Sequence, residues 1–422
     1  MSILPPASLC PPIWFRGDAH TARKCFRTGT HRSRPPEETL EVASAFFERA
    51  GITRLADVTG LDRIGIPTIL ALRPNAKSLS VSAGKGISVA AASASAAMEA
   101  IEIHQAEYYL LPNSRTSWRE MSQRSVIMPV EQLPLAKNSL FSLDWPYHWT
   151  MGWDIVAQRE VATPSNIVNM DRKDRRVGEL GAFPVNSNGL ASGNNFLEAL
   201  TSGLLEVIER DALTLTFLPW KDGLTAPARV DTDSIADPML RDLLDRIAAA
   251  RAEILLFDCR IDTGVPVFAA VVRDLDDPNI GLYRGSGAHL DPVVAASRAI
   301  TEAVQSRAVY IAGSRDDLFK QGHFYLRHVD PLAVAASLMR DAALVPWSFD
   351  GTEATDTFEG DVGVLIEKLS AVGLKSVIVH DLTGPECPVS VLRVIVPGAE
   401  GYHSDWYAPG LRAKVWMKRF QP

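Results

Sequence analysis

Cysteine is scarce in this 422-residue chain: Cys10, Cys25, Cys259 and Cys387 are scattered, with no CxxC pair and no Cys/His cluster at zinc-ligand spacing. That excludes a disulfide framework and a structural zinc module, and it predicts a cytoplasmic protein. Long apolar runs are also missing. None approaches the roughly 20 residues that cross a bilayer, so no membrane span is expected. The opening MSILPPASLCPPIW has four prolines and no basic segment, so it does not read as a secretory signal and predicts a flexible tail over residues 1–22. There is no GxxxxGK[ST] loop, no dinucleotide fingerprint in a βαβ unit and no GxSxG elbow. His380-Asp381 and His403-Ser404-Asp405 make no triad, because adjacent side chains on a strand point to opposite faces. With a net charge of −7, a nucleic-acid partner is not expected.

What is present is an ordinary globular composition, 46% hydrophobic and 22% charged, long enough for one large or several modest domains with a sizeable core. One basic run, RKCFRTGTHRSR at 23–34, departs from the acidic balance. It is either a solvated arm or a contact for a small anion or an acidic segment. Helices are predicted over 35–51, 87–110 and 291–313, and a further one follows the glycine-rich stretch at 188–194. Strands are predicted at 66–74, 79–84, 252–260, 265–274, 376–382 and 388–397. Residues 111–150 read as a loop-rich excursion. Its aromatics, Trp145, Tyr147, His148 and Trp149 with nearby Trp153, suit either core packing or a surface for a peptide. Helices and strands alternate without a regular βαβ rhythm, so the expected class is mixed α+β.

The informative feature is a repeat. SAAMEAIE, SGLLEVIE and RAITEAVQ place Ser95, Glu99 and Glu102, then Ser202, Glu206 and Glu209, then Arg298, Glu302 and Gln305, each at i, i+4, i+7. That spacing stacks three side chains within about 60° of one helix face. In the second helix Leu200, Leu204, Val207 and Ile208 cover the opposite face. Glycine-rich stretches precede each helix: GKG at 84–86, NGLASGN at 188–194 and GSGAH at 285–289. Read as turns, they would let backbone amides approach an anion. Acid faces of this kind are often merely wet. Three matching ones, with Lys85, Arg210 and Arg298 close by, suit carboxylates that hold magnesium bridged to phosphate.

At these residues the chain resembles the YcaO-domain family. SNGLASGNNFLEALTSGLLEVIERDA, SAGKG with SASAAMEAIE, and GSGAHLDPVVAASRAITEAVQSR are similar to three family elements, in the family's order. The resemblance runs over roughly residues 24–410. It implies a single YcaO domain over 23–422, with ATP-binding elements near 84–107, 186–211 and 284–307, and long helices packed on sheets around a Mg–ATP site. GITRLADVTGLDRIGIPTILALRPNAKSLSVSAGKG and RVIVPGAEGYH are similar to the branch that works beside TfuA-type partners. The resemblance implies ATP-dependent activation of a peptide backbone amide. A nucleophile adds to the carbonyl, the oxyanion takes the γ-phosphoryl group, and loss of phosphate leaves an azoline or, with external sulfide, a thioamide. It also implies a homodimer.

By matched position the resemblance makes Glu99, Glu102, Glu206 and Glu209 the magnesium ligands, supported by Glu198 and Glu302. Lys85, Arg210 and Arg298 become the phosphate contacts and catalytic cations. Ser95, Asn188, Asn194 and Gln305 complete the polar shell, and Arg32 and Thr39 meet the nucleoside. Two positions depart from the family pattern. Ile103 stands where many members have an arginine after the first acid pair, so that cation is missing or supplied elsewhere. The chain ends KRFQP, with Pro422 in place of a PxPxP tail, which leans the expectation from azoline formation toward thioamide formation with a sulfide source and a TfuA-like partner. An azoline-forming cyclodehydratase acting on Cys, Ser or Thr remains the alternative, and a nucleotide-binding accessory subunit is the alternative of another class.

Overall fold

The computed structural model describes residues 10–109, 115–171, 181–277, 281–314, 336–337, 339–349, 351–401 and 407–420. Part of the stretch read as a flexible tail is ordered. Ile13–Phe15 (β1) and Asp18–His20 (β2) form a hairpin. Phe15 and His20 rest on Phe196 with ring centroids 4.8 and 4.3 Å away. The hairpin is an apolar cover for a helix start, which prolines around it hid from periodicity. Helix Pro36–Ser44 (α1) and the turn Phe47–Ala50 (α2) follow. Gly51 ends α2 at φ 71°, a left-handed conformation that suits glycine.

The rest of the described residues build three sheets. Arg54–Asp57 (β3), Thr68–Leu72 (β4) and Val81–Lys85 (β5) form a three-stranded antiparallel sheet, and helix Val89–Tyr108 (α3) packs on it. Arg115–Ser117 (β6), then helix Trp118–Arg124 (α4), then Pro146–Asp154 (β7) and Arg159–Pro164 (β8) occupy the region expected to be a loop and its border. β7 was illegible because it is buried along most of its length and so does not alternate. Leu190–Gly193 (β9) leads into helix Phe196–Lys221 (α5). Ala228–Val230 (β10), helix Pro238–Ala249 (α6), Ala252–Asp258 (β11), Val267–Asp274 (β12), Leu282–Ala288 (β13), helix Pro292–Ala312 (α7) and Leu344–Val345 (β14) come next. Helix Phe358–Ala371 (α8), Ile378–Asp381 (β15), Ser390–Ile395 (β16) and helix Leu411–Met417 (α9) close the described chain. The five-stranded sheet runs β13-β12-β11-β10-β14, and the larger one runs β6-β7-β15-β16-β9 with β8 on β7. The mixed α+β class expected from the sequence is what the chain forms. Among the described residues no helix is long and apolar enough to cross a membrane.

The glycine-rich stretches are corrected here: Gly84 and Lys85 of GKG, LASG of NGLASGN and GSGA of GSGAH are strand residues of β5, β9 and β13. Only Gly189 in these stretches has a positive φ, 75°. Gly189 meets Val394 O on β16, the other glycines face the following helix, and a Cβ has no room. On Gly84 it would lie 2.0 Å from Ala92 O, on Gly193 2.4 Å from Ala199 N, and on Gly287 2.2 Å from Ala295 O. Strand and helix backbones therefore touch without a side-chain layer between them. The three strand–helix units also close on one another: β9 lies against α3, β13 against α5 and β5 against α7.

Candidate functional site

Part of the amide set at each helix start, expected to suit an anion, is taken by a cap. Ser88 accepts from Ala91 N, Asn195 from Glu198 N, and Asp291 from Val293 N and Val294 N, so each start is capped by its own side chain. The site is built instead on the helix faces, where each unit's strand meets the previous helix.

The three seams use equivalent positions. Ser192 on β9, one residue before Gly193, donates to Glu102 of α3 at 3.1 Å. Ser286 on β13, one residue before Gly287, donates to Glu209 of α5 at 2.6 Å. Ala83 on β5, one residue before Gly84, accepts at its carbonyl from Gln305 of α7. Gln305 was expected in the polar shell of the site; its amide nitrogen is used to tie α7 to β5.

At the α3–α5 face the acids are undercompensated. Burial, then repulsion from Glu206 and Glu99, pushes the Glu102 carboxyl well above its ordinary pKa. Burial raises Glu206 to about 7 despite Arg210, with Glu209 and Glu302 adding to the rise. Arg210 Nη2 lies 3.7 Å from Glu206 Oε1. Ser95 lies one turn before Glu99 on α3, half-buried. A cluster that resists losing its protons in isolation is one that a dication would stabilise by replacing them.

The α7 seam is different. Burial opposes ionisation of Glu302, but Lys85, Arg210 and Arg298 outweigh it and hold its carboxyl below its ordinary pKa. Lys85 Nζ bonds Glu302 directly, while Ser286 N donates to the other oxygen at 3.3 Å.

Glu198, near the start of α5, is buried and saturated. It accepts from Ser33 N at 2.9 Å, Ser33 Oγ at 2.8 Å and Asn194 Nδ2 at 3.1 Å. Arg32 Nε lies 3.6 Å away. The basic run is thus docked on acids: Lys24 bonds Asp361 and Arg27 bonds Asp356. Thr39 is buried in α1 with its hydroxyl donating to Pro35 O at 3.1 Å; it is used within its own helix.

Arg393 is the residue that sequence reasoning missed as part of the site. It lies on β16, buried, with its Nη2 on Asn186 O at 2.8 Å. Burial lowers its pKa to about 10 while Glu206 and Glu102 support its charge. It brings a cation to the first acid pair, where Ile103 brings none. Its signal was a lone charge inside the apolar strand PVSVLRVIVP.

Several buried polar atoms here have no protein partner: Asn188 Oδ1, Asn194 Oδ1, Arg298 Nε, and Arg393 Nε and Nη1. Since buried polar groups are almost always satisfied, these atoms suit a polar ligand. Carboxylates at α3 and α5 with guanidinium donors around them have the chemistry for Mg2+ and a polyphosphate. The aromatic cluster resolves toward packing: Tyr147 and Trp149 are buried in a core with Trp118, and Trp145 is exposed beneath Arg115. His380 is buried against Thr163, and residues 403–405 lie outside the described ones.

A family model described as YcaO cyclodehydratase, ATP- and Mg2+-binding, matches residues 83–400. The chain is 36% identical over 392 residues to a protein in the tfuA 3′ region of Rhizobium leguminosarum bv. trifolii, covering 90% of this chain and 92% of that one. It is 34% identical to a protein of Methanothermobacter thermautotrophicus, covering 90% and 97%. In structure it is similar to a heterocyclase in complex with substrate and cofactor, with TM-score 0.74 and 22% identity, over 93% of this chain but 55% of that one. It is also similar to YcaO from Methanopyrus kandleri bound with AMPPCP and Mg2+, with TM-score 0.69 and 23% identity, over 92% of this chain and all of that one.

Proposed function

The chain belongs to the YcaO family of ATP- and Mg2+-binding proteins, and on that premise we propose that it activates a peptide backbone amide with ATP and installs sulfur from external sulfide. The observation that carries the ATP chemistry is the undercompensated acid face of α3 and α5, with Glu102 and Glu206 both pushed up in pKa. Glu99, Glu102, Glu206 and Glu209 would hold Mg2+. Arg210, Arg298 and Lys85 would hold the phosphates, and Arg32 the nucleoside side. Bound ATP supplies the phosphoryl group that turns a carbonyl oxygen into a leaving group. The guanidinium groups of Arg210 and Arg298 would stabilise negative charge that develops on the transferring oxygens.

The relative in the tfuA 3′ region favours thioamide over azoline formation, and for a thioamide the sulfur is not the chain's own. Cys259 is buried, and burial pushes its thiol pKa up, so it is inert. None of the four cysteines lies on the acid-faced helices, so sulfur must come from outside. The relative in the tfuA 3′ region supports a TfuA-like partner. The active form is proposed to be a homodimer, for which light scattering showing one chain mass at micromolar concentration is the contrary result.

The test is reconstitution with a candidate peptide, Mg–ATP and sulfide, with and without the partner. The expected product gains the mass difference of sulfur for oxygen, coupled to ADP release. A product lacking one water, formed without sulfide, would reassign the chain to azoline formation. Failure to bind Mg–ATP would make it an accessory subunit.

A further inference from the structure

Behind the acid face, the turn of α5 that carries Arg210 is gripped by the far end of the chain. Asp211 follows Arg210 and points about 140° round the helix from Glu206. It is buried, and its carboxylate accepts from Glu400 N at 2.8 Å and from Arg412 Nε, 3.0 Å from each oxygen. The rest of the Arg412 guanidinium goes to Asp262, between β11 and β12, with Nη2 2.6 Å from Oδ1 and Nη1 3.2 Å from Oδ2. One side chain therefore ties α5 to the edge of the five-stranded sheet's β11–β12 connection. Glu400, itself buried, accepts from Gly410 N at 3.0 Å and Ala413 N at 2.7 Å, which fixes the start of α9 at the same place.

The helix is weak at this point. Thr214 lies one turn after Arg210, with its hydroxyl donating to Arg210 O at 2.7 Å, a back-bond of the kind that bends helices. Pro219 lies inside α5 and has no N–H to give Leu215 O. The support comes from α9 and the segment before it. Ala413 packs on Leu215 and Leu218, with Trp416 and Met417 beside it, and Thr214 Oγ1 also meets Gly401 O. Apolar burial does little to hold α9 there. Of its residues only Ala413 is buried, while Leu411 and Val415 are 57% and 52% exposed. The charged clamp at Asp211 and Glu400 holds it.

We propose that Arg412 is a positioning residue: it braces residues 210–219 of α5 and so sets where the Arg210 guanidinium lies beside Glu206. Arg412 acts through Asp211, whose buried charge would be left uncompensated without it. The brace stands on these contacts alone; its effect on turnover rests on the reading of Arg210 as a phosphate contact.

The test compares Arg412→Met with the wild type, both as full chains. In ligand-free protein, hydrogen exchange should quicken at least about tenfold in the amides of 210–219 and stay at wild-type rates in α3. Unchanged exchange in 210–219 overturns the brace, whatever the chain catalyses. With Mg–ATP and peptide, kcat for ATP is expected to fall about tenfold while KM for ATP moves by less than about threefold, because the metal and nucleoside contacts are untouched. A lowered melting temperature with wild-type kcat would make Arg412 an anchor for α9 only and overturns the positioning role. Asp211→Asn combined with Arg412→Gln replaces the ion pair with a neutral hydrogen-bonded pair and should bring kcat back to within about threefold of the wild type. A double variant as slow as Arg412→Met overturns the clamp as the cause. If the wild type turns over no ATP, the reading of Arg210 fails, and the exchange rates still decide the brace.

Discussion

The α3–α5 face and the α7 seam are built from one repeated strand–helix unit, yet they are left in opposite electrostatic states. At the first, Glu102 and Glu206 are pushed up in pKa, and serines bond the last acid of each helix. At the second, glutamine stands in place of the last acid, alanine in place of the serine, and Lys85 neutralises Glu302. The same backbone geometry thus offers an undercompensated acid face for a dication on one side and a balanced, cation-rich wall on the other. A polyphosphate bridged by metal needs both kinds of surface within reach.

The strongest way to break this contrast is to remove charge from the undercompensated side. Glu206→Gln or Glu99→Gln is expected to lower ATP turnover at least about 100-fold, the scale of losing a group that holds transition-state charge. Circular dichroism and melting should show the fold retained. Wild-type hydrolysis by both variants, with peptide present, would remove these residues from the site.

The second test is pH. Glu206 has a folded pKa of about 7 against an ordinary 4.5. A raised pKa favours the protonated fold, so this group's contribution is fully present below about 4.5 and is lost as pH rises through 7. Metal-free protein is expected to lose up to about 3 kcal/mol across that window. Saturating Mg2+ and nucleotide should flatten the slope in denaturant titrations; an unchanged slope would mean no cation replaces the proton.

On the balanced side, Glu302→Gln is expected to cost about tenfold in ATP turnover, because Lys85 and Arg298 remain to meet phosphate. A loss as large as that of Glu206→Gln would erase the distinction between the two sides. The smallest effect is expected from Gln305→Glu, which restores an acid where Ala83 has no hydroxyl to donate. It should destabilise by about 1 kcal/mol, the cost of a lost hydrogen bond, and leave the bound-Mg2+ stoichiometry unchanged. An additional bound ion would show that the third seam was one residue short of a metal site.

Much of this was legible because helical periodicity projects a face directly from spacing: Glu99 and Glu206 both lie near Glu102, and Glu209 near Glu206, as their intervals suggest. The glycines were legible as special but not in their use. A stretch such as GSGAH announces that a Cβ is forbidden, and only the three-dimensional neighbour shows whether a ligand or a backbone forbids it. Arg393 was out of reach for a different reason. Its partners Glu102 and Glu206 lie in remote parts of the sequence, and strand pairing between β9 and β16 is what brings them together. Lys24 illustrates the same limit, since its burial depends on Asp361 of α8.

The absent side-chain layer at β5, β9 and β13 has a mechanical consequence. Elsewhere strands and helices are separated by side chains that can shift rotamers and take up volume. Where Gly84, Gly193 and Gly287 meet their helices, backbone rests on backbone, leaving almost nothing to compress. Under hydrostatic pressure the spacing of the carboxylates should hold until the whole domain gives way, while layers cushioned by leucine and phenylalanine yield first. The glycines act as a ruler for the distance between charges.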